Sequence, residues 1–170
     1  MTNNYMYLVA NWKMYGHLST LKQIKKVISL SSTNPFKKKL KIIYCPPFTL
    51  LSSFVDKTIH SKIKIGAQDC HYVENYGSYT GEISPNQIKK TGAKYVIIGH
   101  SEKRLSGDTD FVINKKVKSA LNQNLNIILC IGETLKQKKE KKTKTILNKQ
   151  IKKSLKNVKN LKNIIIAYEP

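Results

Sequence analysis

The chain has few of the features that mark membrane, secreted or nucleic-acid-reading proteins. Only one of its 31 basic residues is an arginine, Arg104. Proteins that read nucleic acids rely on arginine for paired hydrogen bonds to phosphate and guanine. Lysine, asparagine and isoleucine share A/T-rich codons, so base composition can account for the net charge of +21 without a selected partner. We therefore predict no specific nucleic-acid partner.

Long apolar segments and paired cysteines are also lacking. No run approaches the roughly 18 apolar residues of a membrane-spanning helix, which predicts no membrane partner. Residues 1–5 have neither the basic nor the apolar segment of a signal peptide. The three cysteines, Cys45, Cys70 and Cys130, form no close pair. This usage favours buried thiols in a cytoplasmic protein over disulfides or a zinc site, so no metal is predicted.

Short apolar runs alternate with amphipathic stretches along the whole chain, a pattern typical of the α/β class. The predicted strands are Tyr5–Val9, Lys41–Cys45, Ile63–Ala67, Tyr95–Ile98, Ile127–Ile131 and Ile164–Ala167, each apolar on both faces. The predicted helices are Ser19–Leu30, Thr49–Ile59, Pro85–Thr91, Thr109–Asn122 and Leu135–Val158. Ser84 before Pro85 is a good helix start, and Lys136–Lys144 is interpreted as the solvated face of the last helix.

This alternation predicts right-handed βαβ units around a parallel sheet. Periodicity alone leaves open whether that sheet is flat or closed into a barrel. The length of 170 residues suits one well-buried domain, and no linker interrupts it. We therefore predict a single domain over residues 1–170.

Polar residues follow most of the predicted strands, where each strand ends. In parallel α/β folds these carboxyl ends share one rim, where ligands bind. The pattern thus predicts a site on that rim without identifying its reaction. The residues concerned are Asn11, Lys13, Gln68, Asp69, His100, Glu133 and Glu169.

Six short motifs, in order and at matching spacing, resemble the triosephosphate isomerase family. One four-residue match could arise by chance, but six in sequence could not. The two longest are Ile98-Gly99-His100-Ser101-Glu102-Lys103-Arg104 and Cys130-Ile131-Gly132-Glu133-Thr134. The others are Asn11-Trp12-Lys13-Met14, Gly66-Ala67-Gln68-Asp69, Tyr79-Thr80-Gly81-Glu82 and Ala167-Tyr168-Glu169-Pro170.

The resemblance implies an isomerase that interconverts dihydroxyacetone phosphate and D-glyceraldehyde 3-phosphate in glycolysis and gluconeogenesis. Glu169 would move the proton, and His100 would act as a neutral hydrogen-bond donor to the enediolate. Lys13 and Asn11 would bind the phosphorylated triose. No cofactor is implied, because deprotonation beside a carbonyl needs only a base and an electrophile.

The family also implies supporting roles for three residues. Glu102 would pair with Lys13, and Cys130 would pack beside the base without acting as a nucleophile. Thr80 would reach into a neighbouring subunit, which implies a homodimer. Glu133 is interpreted as a structural hydrogen-bonding group, and His17, His60 and His71 match no motif.

The resemblance implies a (β/α)8 barrel, a fold that needs about 250 residues. With 170 residues, we expect an incomplete barrel of five βα units and a sixth strand, as in the first two-thirds of a longer natural protein. Such a sheet would expose strand edges and apolar surface. We accordingly expect this chain alone to be a poor or inactive catalyst. Two alternatives stay open: an inactive remnant of the enzyme, and a basic nucleic-acid-binding protein.

Overall fold

The computed structural model describes residues 5–33 and 39–170, in which strands and helices alternate. The strands are β1 (Met6–Asn11), β2 (Leu40–Cys45), β3 (Lys64–Ala67), β4 (Tyr95–Ile98), β5 (Asn126–Ile131) and β6 (Ile164–Tyr168). The α-helices are α1 (Ile24–Thr33), α2 (Leu51–Thr58), α3 (Pro85–Lys90), α4 (Ser101–Leu105), α5 (Asp110–Asn122), α6 (Leu135–Lys139) and α7 (Thr143–Ser154). Short 3-10 helices span Leu18–Gln23 and Phe48–Leu50. Every predicted strand is confirmed to within one or two residues.

The described residues up to Gln68, together with residues 88–95, form one of two compact units. Its strands lie in the order β1-β2-β3 and run parallel, with Asn11 opposite Cys45. The apolar faces of α2 and the strands build its core, in which Ile43, Phe54 and Ile65 are buried. The residues just after β1 and β3 lie at the carboxyl ends of these strands, as predicted.

Residues 69–87 and 96–170 form the other unit, which contains β5, β6 and all of β4 except Tyr95. β5 and β6 pair in parallel, with Cys130 opposite Ala167 and Ile131 opposite Tyr168. Ile113 and Val117 of α5 are fully buried, as are Ile127 and Leu129 of β5. The side-chain oxygen of Thr109 accepts the Val112 N–H and caps the start of α5.

Two strands depart from the prediction that all strands are buried on both faces. β1 exposes 62% of Met6 and 51% of Leu8, and Ile166 of β6 is also exposed. β1 and β6 are the two edge strands among the described residues, so each has a neighbouring strand on one side only. The exposed apolar surface expected of an incomplete barrel is present on both strands.

The single helix predicted over Leu135–Val158 is wrong. Helix α6 ends at Lys139 and α7 begins at Thr143, because Lys141 takes the left-handed conformation with φ of 57°. The lysine-rich stretch 136–144 therefore spans a helix break. Helix α4 was missed because its five residues are mostly polar and carry no periodic apolar pattern. The predicted start of α3 is confirmed, since Ser84 Oγ accepts the Gln87 N–H at 3.2 Å.

Candidate active site

His100 lies directly after β4 and caps the start of α4. Gly99 precedes it with φ of 76°, a conformation that glycine adopts without the strain of a side chain. The backbone N–H of Glu102 donates to Nδ1 of His100 at 3.2 Å. A neutral imidazole has one acceptor and one donor nitrogen, so this bond assigns the proton to Nε2. The neutral form of His100 therefore donates through Nε2.

Glu169 lies directly after β6, and its carboxylate contacts the start of α4. Oε1 is 3.1 Å from Nε2 of His100, and Oε2 accepts the Ser101 N–H at 3.0 Å. Its own N–H donates to the Ile131 carbonyl at 2.8 Å, which extends the β5–β6 pairing by one bond. A carboxylate and a neutral imidazole donor thus face each other at hydrogen-bonding distance. This pair can act as a base and an electrophile on one small substrate.

Glu133 lies after β5 and has a different environment. It is buried, and its Oε1 accepts hydrogen bonds from the Thr143 hydroxyl at 2.9 Å and the Tyr168 hydroxyl at 3.0 Å. Burial acts to raise the pKa of Glu133, but hydrogen bonds from Thr143, the backbone and Tyr168 hold that pKa below its usual value. The hydrogen bond to Glu133, together with burial, raises the pKa of Tyr168. These contacts agree with the structural role predicted for Glu133.

Asn11 and Lys13 belong to the other unit, where β1 ends. Asn11 Oδ1 accepts the Lys13 N–H at 3.0 Å, and Lys13 has the left-handed φ of 52°. Nε2 of Gln68 donates to the carbonyls of Lys13 and Cys45, each at 2.8 Å. These bonds fix a backbone turn that a lysine rarely adopts. The sequence predicts Gln68 on the rim, but not its hydrogen bonds to Lys13 and Cys45. The position of a residue after a strand does not show which groups its side chain binds.

The remaining predicted residues are placed as follows. Glu102 Oε2 lies 3.5 Å from Nδ1 of His100, and the pairing of Glu102 with Lys13 stays a prediction. Cys130 is buried on β5, and its packing against the base stays a prediction. Thr80 is exposed on the loop before α3, and its contact with a second subunit stays a prediction.

Asp69 is not available as a reactive group. Its carboxylate pairs with the buried Lys116 at 2.9 Å and with Lys103 at 3.1 Å, and Lys116 also pairs with Asp108 at 2.7 Å. Burial acts to lower the pKa of Lys116, but the two aspartates raise that pKa above its usual value. Asp69 therefore anchors α5 and does not face a substrate.

Over the ranges 5–33 and 39–170, His, Cys, Asp and Glu form no group of three that could hold a metal ion. Within the same ranges no helix has both the length and the apolar content to cross a membrane.

The family model described as triosephosphate isomerase matches residues 6–170. The chain belongs to the triosephosphate isomerase family. The match includes all of the short motifs, from the end of β1 to the residues after β6. The resemblance predicted from the motifs is therefore confirmed.

Individual members of the triosephosphate isomerase family agree with this assignment. The chain is 37% identical over 166 residues to triosephosphate isomerase of Alkaliphilus oremlandii and 40% identical over 167 residues to that of Alkaliphilus metalliredigens. Both alignments cover 96% of this chain. The crystal structure of triosephosphate isomerase from Bartonella henselae superposes with a TM-score of 0.89 at 37% identity, and covers 96% of this chain.

The chain spans about 65% of the length of the two Alkaliphilus enzymes and 67% of the Bartonella chain. The structural agreement confirms the predicted fold class, which is α/β with the arrangement of a (β/α)8 barrel. The described part holds six of its strands. A single domain over 1–170 stays a prediction.

Proposed function

We propose that the protein is a triosephosphate isomerase, which interconverts dihydroxyacetone phosphate and D-glyceraldehyde 3-phosphate in glycolysis and gluconeogenesis. Membership of the family supports this activity. The observation that carries the proposal is the 3.1 Å contact between Oε1 of Glu169 and Nε2 of His100. A carboxylate base beside a hydrogen-bond donor is a combination that can carry out an aldose–ketose isomerisation by proton transfer.

In the proposed mechanism Glu169 takes the proton from one carbon of the triose and an enediolate forms. The Nε2–H of His100 donates a hydrogen bond to the oxygen on which negative charge develops. Glu169 then returns the proton to the neighbouring carbon. The hydroxyl on the first carbon also loses its proton and the oxygen on the second carbon gains one, an exchange that Nε2 of His100 would mediate. Both carboxylate oxygens are engaged with His100 and Ser101, so Glu169 has to turn away from these donors to reach a carbon-bound proton.

Asn11 and Lys13 are proposed to bind the substrate. The ammonium group of Lys13 would attract the phosphate and the developing oxyanion, and Asn11 would hold the Lys13 backbone in its left-handed turn. Glu102 and Cys130 would support this chemistry through packing and charge. No cofactor is required by this reaction.

The proposed protein is a cytoplasmic homodimer. The three buried, unpaired thiols are consistent with this location. Thr80 is exposed on its loop and would contact the second subunit. A small phosphorylated triose is the only other partner proposed.

The test is the rate of aldehyde formation from dihydroxyacetone phosphate by the full natural chain and by two variants. We expect Glu169→Asp and His100→Ala each to lower kcat by roughly 10²-fold or more, because each changes a group that acts on the reacting atoms. Glu140→Asp is the matched control, since Glu140 is exposed and pairs with Lys142 at the surface. Unchanged kcat in both site variants would overturn the proposal.

A further inference from the structure

Gln150 of α7 makes two hydrogen bonds to one peptide segment at the end of β5. Its Oε1 accepts the Gly132 N–H at 2.9 Å, and its Nε2 donates to the Gly132 carbonyl at 2.8 Å. One side chain therefore satisfies both backbone groups of a single residue, much as a neighbouring strand does. Two bonds to the same residue fix its position and its orientation together.

Gly132 in turn lies against the backbone of the proposed base. The position that a Cβ would take at Gly132 overlaps the carbonyl oxygen of Glu169. Immediately before Gly132, the Ile131 carbonyl accepts the Glu169 N–H at 2.8 Å. The backbone of Glu169 is therefore held between a hydrogen bond at Ile131 and direct contact with Gly132.

Gln150 lies on the face of helix α7 that packs against the interior. Ile146, Gln150 and Ser154 are spaced by four residues and share one face of the helix. Ser154 is fully buried, which places this face against the interior. A carboxamide on such a face needs polar partners, and the Gly132 backbone supplies them.

We infer that Gln150 is a positioning residue for the reaction: it sets the location of Glu169 through the backbone of Gly132. The inference rests on the proposed isomerase function, because it assigns Glu169 as the base. Among the described residues, Gln150 forms its side-chain hydrogen bonds with Gly132 and none with the carboxylate of Glu169 or with His100, so its effect is transmitted by the backbone. A shift of about 1 Å in a reacting group can cost 10²-fold in rate.

The first test compares the kinetics of Gln150→Leu and Gln150→Glu in the full natural chain. Leucine removes both hydrogen bonds, and we expect kcat to fall ten- to hundredfold while KM changes less than about twofold, because Asn11 and Lys13 are untouched. Glutamate keeps an acceptor for the Gly132 N–H but sets a carboxylate oxygen against its carbonyl. Because these two oxygens repel, we expect kcat to fall at least as far in this variant as in Gln150→Leu.

Gln137→Leu is the matched control. Gln137 also bonds to the backbone through its carboxamide, accepting the Thr134 N–H at 2.9 Å, but it lies on α6 and holds the start of that helix instead of Gly132. We expect it to lower stability and leave kcat unchanged. A loss of kcat in Gln150→Leu no larger than that in Gln137→Leu would overturn the inference.

A second readout, amide hydrogen exchange, separates positioning from general loss of stability. The Glu169 N–H should exchange at least tenfold faster in Gln150→Leu than in the wild-type chain. The Ile127 N–H, which donates to Asn163 at the other end of the β5–β6 pair, should be unaffected. Equal acceleration at both amides, or none at Glu169, would overturn the inference. If the wild-type chain does not isomerise trioses but exchange at Glu169 alone accelerates, the positioning stands and the proposed function fails.

Discussion

At the scale of single residues, two carboxylates with similar positions in the sequence have different surroundings. Glu133 and Glu169 each follow a strand, yet Glu133 is buried and bonded to Thr143 and Tyr168. Glu169 has a side chain that is 30% exposed and faces His100. From the sequence, both glutamates are predicted to lie on the rim at the carboxyl ends of the strands. The sequence could not show which hydroxyls and amides approach each carboxylate, because those groups come from distant parts of the chain.

The close approach of Gly132 to Glu169 gives the first prediction. Gly132→Ala forces a methyl group into the Glu169 carbonyl, and we expect a loss of roughly 1–3 kcal/mol in the free energy of unfolding together with a lower kcat. Denaturant unfolding and initial rates measure the two effects. Gly107→Ala is the control, because Gly107 has φ of 114° and open space around it, so only backbone strain changes. Equal kcat in the two variants would contradict the prediction.

The environment of Glu133 predicts a dependence of stability on pH. Its folded pKa is lowered, so its stabilising contribution is present above the unfolded pKa of about 4.3 and is lost as pH falls through the folded value. We expect Glu133→Gln to make the fall in melting temperature between about pH 5 and pH 3 shallower. Thermal unfolding at successive pH values measures this. Glu140→Gln is the control. If the melting temperature of Glu133→Gln falls with pH as steeply as that of the wild-type chain, the prediction is refuted.

At the scale of elements, strands were predicted better than helices, and the reason is physical. A strand that is buried on both faces needs only a short run of apolar residues, and β-branched residues in any order provide it. The residue at which a helix begins or ends depends instead on hydrogen bonds and dihedral angles of the local backbone. The break between α6 and α7 arises at Lys141, which has a left-handed φ. Glycine or proline usually marks such a break in a sequence, and Lys141 is neither. At the start of α6, Thr134 and Gln137 form a capping box, which was not predicted from the sequence.

The capping box of α6 gives a prediction at this scale. The Thr134 hydroxyl accepts the Gln137 N–H at 3.3 Å, and the Gln137 side chain accepts the Thr134 N–H. We expect Thr134→Ala to cost about 1 kcal/mol of unfolding free energy, since the Gln137 N–H loses the hydroxyl that accepts it. Thermal or denaturant unfolding measures the loss. Thr145→Ala, an exposed position inside α7, should cost less; a larger loss there would rule out the capping argument.

At the scale of the whole molecule, charge is the property that the fold does not explain. The chain carries 31 lysines and arginines against 10 acidic residues. The described acidic groups include several that pair with buried or half-buried cations, as Asp69 and Asp108 do with Lys116. Most lysines are left on the surface, in line with a compositional origin of the charge.

That surface predicts weak adsorption to nucleic acid without sequence preference. We expect affinities for two unrelated DNA duplexes to agree within about threefold and to fall steeply as salt rises, because lysine neutralises phosphate without reading bases. Fluorescence anisotropy at several salt concentrations measures this. The His100→Ala and Glu169→Asp variants serve as controls and should bind DNA as the wild-type chain does. A strong preference for one sequence would favour the nucleic-acid-binding alternative.

The three buried cysteines provide a natural reporter of which part of the chain opens first. Cys45 lies in the unit of the described residues up to Gln68 and residues 88–95, whereas Cys70 and Cys130 lie in the other unit. Burial raises the pKa of Cys45 to about 12, and burial followed by the charge of Asp69 raises that of Cys70, so neither thiol reacts while it is enclosed. Alkylation followed by peptide mass spectrometry would then time each opening separately. If Cys45 is labelled long before Cys70, the unit that contains β1, β2 and β3 unfolds first. The unit that contains His100 and Glu169 is then still folded.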